Sequence, residues 1–170
     1  MGYTHYWRQL RDFTEMEWQE LTRLTKLITA DGVLDQTLST VEFNIDNEQI
    51  CFNGIGDNGH ETFIITKKKR AKEDYEEQEA YDKKGAFDFC KTAHKPYDKY
   101  VVAVLCAVYR VQIERGQDIM NISSDGNTAD WTEGLFHAVR STREEEMLCP
   151  IRDCLTLSYV DYVDQEKKTG

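Results

Sequence analysis

The chain has 170 residues, 40% of them apolar and 31% charged, which suits one domain able to bury roughly two-thirds of its unfolded surface without a metal or a disulfide. Its 31 acidic residues outnumber 21 basic ones for a formal net charge of -10, a balance that argues against free nucleic acid as a ligand of the surface as a whole. The same charge fits either simple solubility or an acidic surface that occupies a basic site on a protein partner.

The first residues alternate: Tyr3, His5 and Trp7 fall on one side and Thr4, Tyr6 and Arg8 on the other, which predicts a short strand with His5 on its core face. Thr14 followed by Glu17 is a capping box. Trp18, Leu21, Leu24, Leu27 and Ile28 continue at helical spacing until Asp31 and Gly32 end the pattern, so an amphipathic helix covering a sheet is expected here. From 41 to 66 the period changes to two, with turn-forming Asp46-Asn47 and Gly56-Asp57-Asn58-Gly59 between apolar runs, which predicts an antiparallel meander. Parity places Glu61 on the face of Phe63 and Ile65, where a carboxylate needs a partner.

Residues 67–84, KKKRAKEDYEEQEAYDKK, hold seven basic and six acidic residues in blocks with little apolar surface. They read as a solvated excursion, helical in the acidic half. Next comes the densest run of reactive side chains, FDFCKTAHKPYD at 87–98, set directly before a helix that runs from 98 to about 115. That helix is apolar on most sides, so Cys106 belongs to the core, and Pro96 suits its first turn. Polar groups are thereby gathered at the positive end of a rigid core helix, where anions are favoured. Residues 118–124 read as a strand, Ser124-Asp125-Gly126-Asn127 as a turn, and Asp130 with Glu133 as the cap of a helix carrying Trp131 and Leu135. LTLSYVDYV at 155–163 reads as a last strand, while His60 and His137 read as exposed. The sum is an α+β domain of about five to seven mainly antiparallel strands with about three helices.

Cys51, Cys90, Cys106, Cys149 and Cys154 cannot all pair within one chain and form no zinc-type doublet, which points to a reducing cytoplasm. No run of 18 apolar residues offers a membrane span.

The candidate catalytic residues are His5, Glu61, Cys90, Asp98 and Asp125. The candidate ligand-binding residues are Lys91, Thr92, Lys95, Tyr97, Asn53, Ser124 and Trp131. Cys90 as a nucleophile requires a lowered pKa, from a helix N-terminus with Lys91 and Lys95, and a base, His5 or His94; the alternative is a structural thiol. His5, Glu61, Asp98 and Asp125 are acceptable metal ligands in type, but no local spacing supports a metal. Lys91, Thr92, Lys95 and the amides after Pro96 suit a phosphate, although no P-loop is present. Against all of these, Lys91, Tyr97 and Asp98 also suit a buried network that fixes the helix to the sheet, and Asp125-Gly126 a plain turn.

GYTHYW, FNG with ETF, FDFCKT with KPYD, and SDG with a downstream Trp together resemble a family of small, uncharacterised microbial and viral proteins. The resemblance implies no activity or cofactor, only that the four segments meet. The expectation is a small intracellular domain with one polar pocket that binds or modifies a small, anionic molecule; the rival is a non-enzymatic acidic protein that binds a basic partner.

Overall fold

Residues 2–144, 147–151, 156–157 and 166–168 are described by the structure, a computed structural model. Strand β1 (Thr4–Gln9) lies at the centre of an antiparallel three-stranded sheet between β5 (Ala86–Lys91) and β6 (Met120–Ser124), with His5 opposite Cys90 on one side and Ser124 on the other. The meander forms a second antiparallel sheet, β2 (Asn44–Ile45), β3 (Gln49–Phe52) and β4 (Phe63–Thr66). The α+β class and the antiparallel pairing are as expected; the strands, however, divide between these two sheets and a two-residue pair, β7 (Met147–Leu148) with β8 (Thr156–Leu157). The pair holds the part of the expected last strand that is described, and the remainder of 155–163, with Cys154, lies outside the described residues. Trp7 meets Phe63 edge to face at 5.4 Å, joining the inner faces of the two larger sheets.

Helix α1 (Glu15–Leu34) opens on the expected capping box: Glu17 N donates to Thr14 Oγ1 at 3.2 Å, and Thr14 N to the Glu17 carboxylate at 2.8 Å. Arg11 donates twice to the same carboxylate and, with these helix-end bonds, holds it down at about 2. The helix does not stop at Gly32 but runs on to Leu34. Gly32 serves close approach instead, because a Cβ there would stand 2.6 Å from the Tyr100 ring. Leu27, counted in the apolar stripe, faces outward.

Helix α2 (Gln78–Lys84) falls in the charged segment and buries nothing, as its composition demands. The segment nevertheless has a docking role. Arg70 makes a two-pronged ion pair with Glu76 and donates to Phe87 O at 2.7 Å, on the edge of β5 that faces away from β1. Along that same edge Phe89 N donates to the Asp88 carboxylate and Lys91 N to the Glu61 carboxylate. Charged side chains thus occupy backbone groups that would otherwise recruit another strand.

Helix α3 (Asp98–Arg115) is buried without interruption from 100 to 108, Cys106 included, so it forms the axis of the core and packs between α1 and α4 (Thr128–Thr142). The cap of α4 is Asn127, with Asp130 as the reciprocal partner; Asp130 is therefore the last residue of the box rather than its first. His60 is exposed as expected, but His137 on α4 is buried: Nε2 donates to Ile28 O at 2.7 Å and Nδ1 accepts from Arg140 at 2.7 Å. No helix among the described residues is long and apolar enough to cross a membrane.

Candidate functional site

Alternation along β1 turns His5 inward, where its ring is fully buried between Tyr3 (centroids 5.0 Å apart) and Trp131 (5.3 Å), both edge-on. Its Nδ1 lies 2.8 Å from Ser124 Oγ and its Nε2 lies 2.6 Å from Asp98 Oδ1. Asp98 Oδ1 also accepts from Thr92 Oγ1 at 2.6 Å. Three segments far apart in sequence therefore meet through five of the predicted residues: His5, Thr92, Asp98, Ser124 and Trp131.

A serine, a histidine and an aspartate in line suggest nucleophilic catalysis, but hydrogen-bond counting assigns the chain another role. Ser124 Oγ accepts from Gly126 N at 2.9 Å and from Trp131 Nε1 at 3.1 Å, which uses both of its lone pairs. Its one proton is then directed to His5 Nδ1, and His5 carries its own proton on Nε2 and donates it to Asp98. No lone pair of Ser124 is left to attack a substrate. At the far end, Gly126 N and Trp131 Nε1 can only donate, so the chain ends there and leads no proton out. What this network does is fix Asp98, which also lines a concavity.

That concavity, about 410 Å³, lies between the N-terminal turns of α3 and α4. The α3 side presents Asp98, His94, Lys95 and Lys99; the α4 side presents Asp130 and Glu133. A larger hollow of about 580 Å³ between α1 and β2 is lined mainly by residues such as Val33, Leu34 and Phe43, with Lys26 as its one ionisable side chain.

The pocket's outer lip is strained. Lys95 N donates to Thr92 O at 3.0 Å, closing a turn whose central residues, Ala93 (φ 51) and His94 (φ 57), are both left-handed without being glycine. Such a turn ordinarily takes Asn-Gly, and each left-handed residue costs about 1–2 kcal/mol. Tyr3 holds it in place: Tyr3 O accepts from Thr92 N and Ala93 N at 3.1 and 3.2 Å, and the Tyr3 ring stacks on His94 at 3.6 Å. Burial, with the Asp98 charge nearby, raises the Tyr3 hydroxyl well above its ordinary pKa, so it keeps its proton. It is also the one fully buried side-chain polar atom among the described residues that has no hydrogen-bond partner. Buried polar groups are almost always paired, so an orphan there marks a place of interest.

The other predicted residues lie elsewhere. Cys90 is fully buried; its thiol bonds to Glu61 O at 3.4 Å, and burial pushes it up to about 12, the reverse of what a nucleophile needs. Of the network expected for Lys91, Tyr97 and Asp98, the structure joins Tyr97 and Lys91 through Glu61 in a structural clasp, while Asp98 bonds to His5 and Thr92 instead. Tyr97 Oη donates to Glu61 O at 2.6 Å and to Lys91 O at 3.3 Å, and the Glu61 carboxylate takes the Lys91 amide at 2.6 Å. Asn53 staples its own loop, accepting from Gly54 N and His60 N and donating to His60 O and Thr62 Oγ1. Asp125 is exposed and accepts from Thr4 N and from Tyr6 Oη, on the sheet face opposite His5. Among the described residues no group of three or more His, Cys, Asp or Glu is placed to hold a metal ion, so the His5, Glu61, Asp98 and Asp125 set lacks the necessary geometry.

Sequence reasoning missed Tyr3, Lys99, Asp130 and Glu133. The two acids were visible only as helix-capping residues, and nothing local showed that the first turns of α3 and α4 face one another. No family model matches the chain, nor does any curated protein or solved structure.

Proposed function

We propose that this chain binds a small polar molecule bearing an anionic group in the pocket between α3 and α4, with Asp98 as the fixed anchor. The observation that carries this reading is the buried Ser124–His5–Asp98 chain: His5 and Thr92 both bond to Asp98 Oδ1, each at 2.6 Å, which orients the carboxylate toward the cavity. Building such a network buries a histidine and two hydroxyls, a cost that a merely structural helix start does not require. Lys95 and Lys99 supply the positive charge for the ligand's anionic group, and the N-terminal turns of two helices favour it further. The strained turn that carries His94 lines the same pocket, as functional sites often show.

A thermal-shift screen of phosphorylated and carboxylated metabolites tests this. A true ligand at 100 times its Kd adds about 2.7 kcal/mol to stability. Asp98→Asn keeps an oxygen for His5 and Thr92 while removing the charge that holds the ligand's hydrogen-bond donors, so it and Lys95→Ala, which removes the partner of the anionic group, should fold and lose the response. The reading fails if no compound shifts the wild-type midpoint, or if both variants respond as the wild type does.

A further inference from the structure

The pocket is lined by charges of both signs. On the α3 side stand Lys95 and Lys99, with His94 at the lip; on the α4 side stand Asp130 and Glu133, with Asp98 between the two lysines in sequence. Oppositely charged side chains that line one concavity ordinarily collapse onto each other, yet among the described residues none of these lysines comes within 4.0 Å of any carboxylate. Lys99 lies over the Tyr100 ring instead, at 5.0 Å. The carboxylates are likewise committed away from the lysines: Asp130 takes the Asn127 amide at 2.8 Å, and Asp98 takes His5 and Thr92. The helix scaffold therefore holds two lysines and three carboxylates apart from one another around a concavity of about 410 Å³.

Charge counting narrows the occupant. Lys95 and Lys99 against Asp98, Asp130 and Glu133 leave the lining one negative charge in excess, and the whole chain carries -10. A purely anionic ligand satisfies the lysines but sets its own charge against three carboxylates, an unfavourable pairing. A purely cationic amine has the converse fault. A molecule with an ammonium and a carboxylate a few bonds apart satisfies both signs of charge at once, and its own two charges are separated by the pocket instead of by water.

Resting on the pocket reading above, we propose that the ligand is a small zwitterion of the α-amino-acid class. Its ammonium is held by Asp98 and Glu133, and its carboxylate by Lys95 and Lys99.

The full chain is titrated calorimetrically with the free amino acids and, for each that binds, with its N-acetyl and its decarboxylated analogue, alongside acetate, inorganic phosphate and ethylamine. Removal of either charge should weaken binding about tenfold, as expected when a charge-assisted hydrogen bond of about 1.5 kcal/mol is lost. Glu133→Gln should reproduce the acetylation loss and add nothing for the N-acetyl analogue, while Lys95→Ala should reproduce the decarboxylation loss. If acetate or phosphate binds as tightly as any amino acid and still requires Asp98, the zwitterion assignment is overturned while the pocket stands. If no compound of any of these classes binds, both are overturned.

Discussion

Replacing Ser124 with alanine separates an orienting serine from a nucleophilic one. The change strips the acceptor from Trp131 Nε1, the donor from His5 Nδ1 and the acceptor from Gly126 N, which lay at 3.1, 2.8 and 2.9 Å. Gly126 is half-buried, whereas Trp131 is 1% exposed and His5 is 0% exposed, so the nitrogens of these two are the ones cut off from water. A buried polar group left unpaired costs about 1–3 kcal/mol, so two of them set an expected loss of about 3 kcal/mol. That is a large part of the roughly 5–15 kcal/mol that stabilises a domain of ordinary size. With a urea slope of about 2 kcal/mol/M, the unfolding midpoint should fall by about 1.5 M. The double variant with Trp131→Phe should lose less than the sum of the single losses, by about 1 kcal/mol, because the tryptophan nitrogen that Ser124 satisfied is gone. Asn121→Ala, on an exposed position of the same strand, is the control and should stay within about 0.5 kcal/mol of wild type. Catalytic serines are commonly neutral or costly to stability, so a Ser124→Ala protein as stable as the wild type, with additive Trp131 effects, would refute the assignment of Ser124 as a saturated anchor.

Burial lowers the His137 pKa from its ordinary 6.5, and Asp31, Arg140 and Lys99 are the charges that act on it. The unfolded chain therefore binds this proton first as the pH falls: the contribution of neutral His137 is complete above about pH 6.5 and is lost as the pH drops through the lower folded value, so thermal midpoints should fall from pH 7.5 to 5.5 and less so in His137→Gln. Iodoacetamide should leave Cys90 and Cys106 unlabelled until the chain is denatured, whereas half-exposed Cys51 reacts slowly in the native state; native labelling of Cys90 detected by mass spectrometry contradicts the buried thiol. The Arg70→Ala, Glu76→Ala double variant should lose about 1–2 kcal/mol, because a half-buried pair and the Arg70 bond to Phe87 O go together, and should self-associate in light scattering because the β5 edge is uncovered. Gly134→Ala should destabilise by about 1–3 kcal/mol in the same urea assay, since its Cβ would stand 2.3 Å from Val102 where α3 and α4 cross.

Local chemistry was enough to read much of this protein from its residues. The Thr14 and Glu17 box, the alternation that buries His5, the antiparallel meander and the continuous burial of α3 all rest on interactions within a few positions, which sequence spacing records directly. The run at 87–98 was recognisable as chemically dense, but its residues serve two different places. Strand parity turns Cys90 into the core, the left-handed turn at Ala93 and His94 reverses the chain, and Tyr97 and Asp98 then point to opposite ends, one to the Glu61 clasp and the other to His5. Burial of His137 depends on Ile28 O, 109 positions away, and the clasp of Arg70 and Glu76 on a strand edge that composition does not reveal. Which of these polar groups became structural and which face a cavity was decided by long-range packing, because hydrogen-bond saturation is set by whichever donors and acceptors the fold brings within about 3 Å, and sequence spacing carries no record of that distance.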